Sequence, residues 1–311
     1  MLKRKSRLAW LVFFMGFLLL LASCGSDNDA PPAAVQQSTG STTYSAIYNG
    51  NGATGGSAPS DSNSYAQGQT VTVLGNTGSL VKTGCTFAGW NTKADGSGTT
   101  YTQNQTFTMG AANATLYAIW IANKYAYVAN YYGGTVSQYT IGADGSLAPM
   151  STPTVTAGAD AESIAANPTG KYVYVANYGD NTVSQYTIGA DGSLTPMSAP
   201  TVAAGTVPDM VVIHPSGKYA YVGNYNSGNV SQYTIGADGS LTPMSTPAVA
   251  AGTSPESLAV DPSGKYVYVP NCDSNNVSQY TIGAEGSLTP MSTPTVAEST
   301  GPVAVATVTA Q

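Results

Sequence analysis

Glu162, Asp209 and Glu256 stand 47 residues apart and open the matching segment of three successive repeats, with Val303 in the fourth slot. Three carboxylates brought to one mouth of a fold can hold Ca²⁺ or another hard cation through oxygen ligands. Held apart, they are solvated acids at a loop edge. A second series repeats at the same spacing: Asn130, Asn177, Asn224 and Asn271, accompanied by Tyr131, Tyr132, Tyr178 and Tyr225. Tyrosine and amide side chains make adaptable polar contacts around aromatic anchors. The series therefore reads as a rim for a protein or glycan ligand, or else as tyrosines packed between repeats. Residues suited to catalysis are few. The single histidine, His214, occupies the slot held by Asn167 and Asp261 in sister copies, and all three can cap a turn. No arginine follows Arg7. One histidine and two dispersed cysteines, Cys85 and Cys272, cannot build a tetrahedral zinc site. Those two thiols either pack separately or pair in an oxidising compartment.

The elements that must position these residues are set by the repeat. Its clearest stretch reads KYAYVAN at Lys124, KYVYVAN at Lys171, KYAYVGN at Lys218 and KYVYVPN at Lys265, each followed by VSQYTIG. A period in the range of about 40 to 50 residues, made only of β-type segments and turn signals, predicts a β-propeller with one blade per repeat. In the second copy the expected strands are Ser163–Ala166, Tyr172–Asn177, Val183–Ile188 and Ser193 toward Thr201. Asn167-Pro168-Thr169-Gly170 and Asp191-Gly192 form the turns between them. The series Asp144, Asp191, Asp238 and Glu285 reads as hairpin turns in the same way. Inner strands are likewise expected at Met210–Ile213 and Leu258–Val260. The first copy has no inner strand of its own. Val303–Val308 carries one without a blade, so it is expected to pair with Tyr125–Asn130 and close a four-bladed monomeric ring. Two chains sharing a larger ring, or an unclosed array, are the alternatives.

The leader carries Lys3, Arg4, Lys5 and Arg7 before an apolar run from Leu8 to Ala22. That is the pattern of a secretory signal, too short for a comfortable span. Leu21-Ala22-Ser23-Cys24 resembles a bacterial lipobox, which implies cleavage after residue 23 and lipidation of Cys24. Residues 24–42 are small and polar and read as a tether. The expected outcome is an exported protein, lipid-anchored in the cell envelope at the outer membrane or cell surface. Past Ser23 the chain holds 16 acids against six lysines, a net charge of 6 − 16 = −10. That balance disfavours nucleic acid as a partner.

Residues 43–121 have another texture, short alternating segments between Asn-Gly, Gly-Gly and Asp-Gly turns. The landmarks are TYSAIYNGNGATGG at Thr43, TFAGWNT at Thr86, DGSGTTY at Asp95 and TLYAIW at Thr115. Their order resembles the internalin-type B repeat, also called the Listeria–Bacteroides repeat. That resemblance implies a small β-grasp-like domain used for spacing or contacts, with Trp90 and Trp120 in its core. Residues 122–311, with their K-Y-x-Y-V-x-N motif, resemble the YVTN-type and lactonase-like propellers, which commonly have seven blades. The expected function is a non-catalytic binding or adhesion module without a cofactor, unless Ca²⁺ occupies the carboxylates. The alternatives are a lactonase-like hydrolase of the 6-phosphogluconolactonase type and a truncated, non-functional paralogue.

Overall fold

Among the described residues every regular element is a strand, as the dense Val, Tyr and Thr content and the Gly-centred turns dictate. The computed structural model describes residues 41–142 and 144–309, so the leader, the tether and Cys24 lie outside the described residues. All the elements below belong to one compact unit, Thr42–Gln311.

Ala46–Asn49 runs parallel to Ala114–Ala122, which pairs antiparallel with Cys85–Asn91 and places Thr100–Tyr101 at the edge. An early strand of this module and its closing strand thus lie side by side and parallel, the grasp-like arrangement expected from its landmarks. A bulge falls between Phe87 and Gly89. Gly89 sits at φ 141°, and a Cβ there would lie 2.8 Å from the Tyr101 carbonyl oxygen, so only glycine fits. Trp90 is buried, with its ring 4.8 Å from Tyr48 and 5.1 Å from Phe87. Trp120 is half-buried at the margin of the same core, edge-on to Phe87 at 5.8 Å. Only Asn123 separates this module's closing strand from Lys124–Asn130, the first strand of the repeats.

Each repeat forms its own antiparallel sheet in simple meander order. The second sheet is Ala161–Ala166, Tyr172–Asn177, Thr182–Ile188 and Leu194–Ala203. The third is Pro208–Ile213, Tyr219–Asn224, Asn229–Ile235 and Leu241–Ala250, and the fourth is Ala259–Val260, Tyr266–Asn271, Asn276–Ile282 and Leu288–Ala297. The first sheet has three strands, Lys124–Asn130, Thr135–Ile141 and Leu147–Thr156. Valines and tyrosines of the middle strands are buried on both faces, which identifies these sheets as stacked layers. The outer strands carry paired prolines, such as Pro196 and Pro200, that cannot donate to a further ladder. The middle strands are nearly identical between copies, whereas the inner strands AESIAA and PDMVVI differ.

Neighbouring sheets are joined by three repeated bonds. Gln138, Gln185 and Gln232 each accept the N–H of Leu194, Leu241 and Leu288 in the next sheet at 2.6 Å. Tyr127, Tyr174 and Tyr221 each donate to Gly192, Gly239 and Gly286 of the next sheet at 2.6 Å. Tyr186, Tyr233 and Tyr280 each donate to Thr156, Ala203 and Ala250 of the preceding sheet at 2.7 Å. Each glutamine also bridges a bulge in its own outer strand; Gln185 Nε2 donates to the Ala199 carbonyl at 3.0 Å.

The expected pairing of Val303–Val308 with Tyr125–Asn130 is absent among the described residues. The first sheet keeps three strands, and residues 301–309 adopt no strand. Val128 is 45 % exposed, whereas its counterparts Val175, Val222 and Val269 are fully buried. Among the described residues no strand of the first sheet pairs with the fourth sheet or with residues 301–309, so the array is not closed by strand pairing.

Candidate functional site

The loops that follow the second strands and those that precede the inner strands gather on one face. In the second, third and fourth repeats the residue two before the carboxylate is left-handed: Asp160 at φ 52°, Val207 at φ 59° and Ser254 at φ 58°. Gly301 takes the same conformation in the fourth slot, at φ 67°. A β-branched residue in this region is strained. Val207 is held there by its N–H donating to Asn181 Oδ1 at 2.7 Å, while its carbonyl accepts the Tyr225 N–H at 2.7 Å. This turn sets the angle at which each inner strand enters its sheet, and so aims Glu162, Asp209 and Glu256. Removing the strain has an expected sign. Val207→Gly should raise stability by about 1 kcal/mol, the left-handed cost less the entropy of glycine, measured by denaturant unfolding.

Tyr131, Tyr132, Tyr178, Glu162 and Asp209 line a shallow basin of about 430 Å³. Tyr131 is packed edge-on against Tyr132 at 5.0 Å and against Tyr178 at 5.9 Å, and Tyr132 is 98 % exposed. Burial pushes the Asp209 carboxyl up to about 6, and the Glu162 and Glu256 carboxylates add to the rise. Asp209 therefore lies within electrostatic reach of both other carboxylates. Among the described residues, however, no group of three His, Cys, Asp or Glu is arranged to hold a metal ion. Glu256 faces Cys272, whose thiol is raised by burial and by that carboxylate. Cys272 and Cys85 are both free.

The raised Asp209 predicts a pH dependence. Its folded pKa lies above that of the unfolded chain, so folding is favoured below pH 4 and that advantage is lost as pH rises through about 6. Asp209→Asn should flatten this slope and add about 1–2 kcal/mol at pH 7, after discounting for solvent screening. Thermal unfolding at pH 4.5 and pH 7 reads both effects.

The amide half of the expected rim is not at the surface. Asn177, Asn224 and Asn271 are buried, and Asn130 is half-buried. Asn177 Nδ2 donates to Thr182 Oγ1 and Ser184 Oγ at 2.9 Å, and its Oδ1 accepts the Gly158 N–H at 3.1 Å. The same bonds recur at Asn224 and Asn271. The amides of Asn177, Asn224 and Asn271 are consumed in fastening their own strand ends to the turns beside them, so these three cannot meet a ligand. Tyr225 is half-buried and takes no part in the tyrosine cluster.

His214 also serves the scaffold. Its Nδ1 accepts the Ser216 N–H at 3.0 Å, and Nε2 lies 2.8 Å from the Gly264 carbonyl of the next repeat. Asn167 makes the same link, donating to the Gly217 carbonyl at 2.9 Å. The Asp191 turn carboxylate accepts the Ser193 N–H at 3.0 Å, with Asp144 and Asp238 doing likewise, as expected of hairpin turns.

Comparison with known proteins places this face in context. The family model described as lactonase, 7-bladed beta-propeller matches residues 110–210 and 210–306, well over half the chain. The chain belongs to that family. The Listeria–Bacteroides repeat domain matches residues 44–119, overlapping the start of the lactonase match at residue 110. A solved structure from Bacteroides fragilis, a candidate 6-phosphogluconolactonase, matches with TM-score 0.52 and 20 % identity. The match covers 65 % of this chain and 63 % of that one, and at that identity it shows the fold alone. Two curated proteins of Evansella cellulosilytica, a Gly-rich membrane protein and another membrane protein, are 42 % and 41 % identical over 85 and 81 residues. The matched stretch is 24 % and 26 % of this chain but only 10 % and 12 % of those proteins.

Proposed function

We propose that the chain is a cell-envelope lipoprotein whose lactonase-type propeller binds a ligand without turning it over. The observation that carries this reading is the basin of three tyrosines beside mutually repelling carboxylates. Such a surface repels phosphorylated sugar lactones and favours neutral or cationic ligands whose hydroxyl or ammonium groups meet the acids while sugar faces stack on tyrosine. A hydrolase of phosphorylated lactones would need cationic groups for the phosphate and a free general base. No arginine follows Arg7, and both His214 nitrogens are engaged in the scaffold. Envelope placement is supported by the lipobox-like Cys24, by the Listeria–Bacteroides repeat and by the local similarity to two membrane proteins.

Titration of the protein with a glucosamine hexamer, followed by tyrosine fluorescence, tests the reading. Saturable binding, weakened at least tenfold in Glu162→Gln or Tyr132→Ala, is the expected result; no binding would overturn the assignment. One observation favours a second reading. Asp209 lines the basin beside Glu162, and burial raises its carboxyl to about 6, which suits a general base that activates water toward a neutral sugar lactone. Turnover of glucono-δ-lactone that disappears in Asp209→Asn would establish the hydrolase instead.

A further inference from the structure

The two ends of the array are complementary, and each lacks what the other carries. Three series of bonds between sheets are formed at three of four steps, and the fourth step is missing in every case. Gln279 continues the glutamine series, and the repeat-related donor for its Oε1 is the Leu147 N–H. Leu147 is 53 % exposed, whereas Leu194, Leu241 and Leu288 are each 6 % exposed. Tyr268 continues the first tyrosine series toward Gly145, and Tyr139 continues the second toward Ala297. Neither makes its bond among the described residues, although every sister tyrosine does.

The inner strands tell the same story. Pro302–Thr307 is the 47-residue counterpart of Pro255–Val260, and Thr307 Oγ1 donates to the Val260 carbonyl at 3.1 Å. The segment thus lies where the inner strand of a following sheet belongs, and among the described residues it pairs with none. The first sheet has the converse deficit. It exposes Val128 and the unpaired edge of Lys124–Asn130. An uncovered edge next to an apolar face is a template for strand addition.

We propose that a second copy of this chain supplies the missing step, reciprocally, in a closed two-fold dimer. The registers of the second and third sheets transfer by repeat spacing. Ala161 opposite Asn177 becomes Pro302 opposite Asn130 of the partner copy, and Ile164 opposite Val175 becomes Val305 opposite Val128. In the same interface Gln279 accepts from Leu147, Tyr268 donates to Gly145, and Tyr139 donates to Ala297. Two copies bring eight sheets into one ring, at the upper end of the roughly four to eight blades that propellers hold. The contact is the one already made three times within each chain, so it needs no new surface. Its reciprocity closes the assembly at two copies and prevents growth into a filament.

Native mass spectrometry of the full chain, released from mild detergent, should show twice the protomer mass. In the double variant Val128→Cys, Val305→Cys, mild oxidation should give a covalent dimer, because directly opposed Cβ atoms in an antiparallel pair lie within disulfide reach. Either single variant should give none, which controls for Cys85 and Cys272. Ala304→Pro should shift the population to protomers by at least tenfold while leaving near-ultraviolet dichroism unchanged. A cross-link within a single chain would overturn the proposal by showing that the ring closes on itself. A protomer mass for the unmodified chain, or a dimer without the cross-link, would overturn it as well.

Discussion

Trp90→Ala should lower unfolding stability by about 3–5 kcal/mol, the range for emptying a fully packed aromatic site. Trp90 fills the centre of the small module, in contact with Tyr48 and Phe87, and its Nε1 donates to the Leu74 carbonyl at 2.9 Å. Truncation leaves a cavity bounded by Val71, Val73 and Leu116 and strands the Leu74 carbonyl without its donor. A sheet unit this small has little core to redistribute. Trp120→Ala should cost markedly less, because that ring already meets solvent at the edge of the same cluster. Denaturant unfolding followed by near-ultraviolet dichroism compares the two variants. Equal losses would refute the assignment of Trp90 as the central residue.

Gln185→Ala carries the second large effect, about 2–4 kcal/mol, since a buried side chain is lost and both of its backbone partners become unsatisfied. One buried side chain here joins a bulge to the neighbouring sheet through the Ala199 carbonyl and the Leu241 N–H. Gln232→Ala should match it, because its bonds to Thr246 and Leu288 repeat that geometry. Gln279→Ala provides the contrast. In a protomer its loss touches only Thr293 and should cost under about 1 kcal/mol. In the two-copy ring it should cost as much as Gln185→Ala. The three variants measured at low and high protein concentration therefore separate packing within a chain from packing between copies.

The fold was legible wherever the signal was local. Asn-Pro-Thr-Gly and Asp-Gly turns, alternating Val and Tyr, and a fixed period each predict strands, and the observed bounds differ from expectation by at most two residues at the second repeat. Closure was not legible, because whether Val303–Val308 reaches Tyr125–Asn130 depends on the rotation between neighbouring sheets, which no single repeat encodes. The candidate site was half legible. Spacing brought Glu162, Asp209 and Glu256 to one face and placed Tyr131, Tyr132 and Tyr178 beside them. Asn177 and its sisters misled because a polar residue at a strand end looks exposed until its turn partners are known. The left-handed residues at Asp160, Val207 and Ser254 gave no warning, since three different side chains occupy a position where glycine would have marked the turn.

The contrast between near-identical middle strands and divergent inner strands bears on how the chain reaches its native state. VSQYTI occurs four times without change, so a strand could settle one whole repeat out of place and still find the same partners. The segments AESIAA, PDMVVI, PESLAV and PVAVAT are where the copies can be told apart. Each therefore acts as an address label, and its fit to one neighbour makes a misplaced repeat costlier than the correct one. Making these four segments identical should leave the native contacts almost unchanged while slowing folding and multiplying swapped, wrongly threaded products.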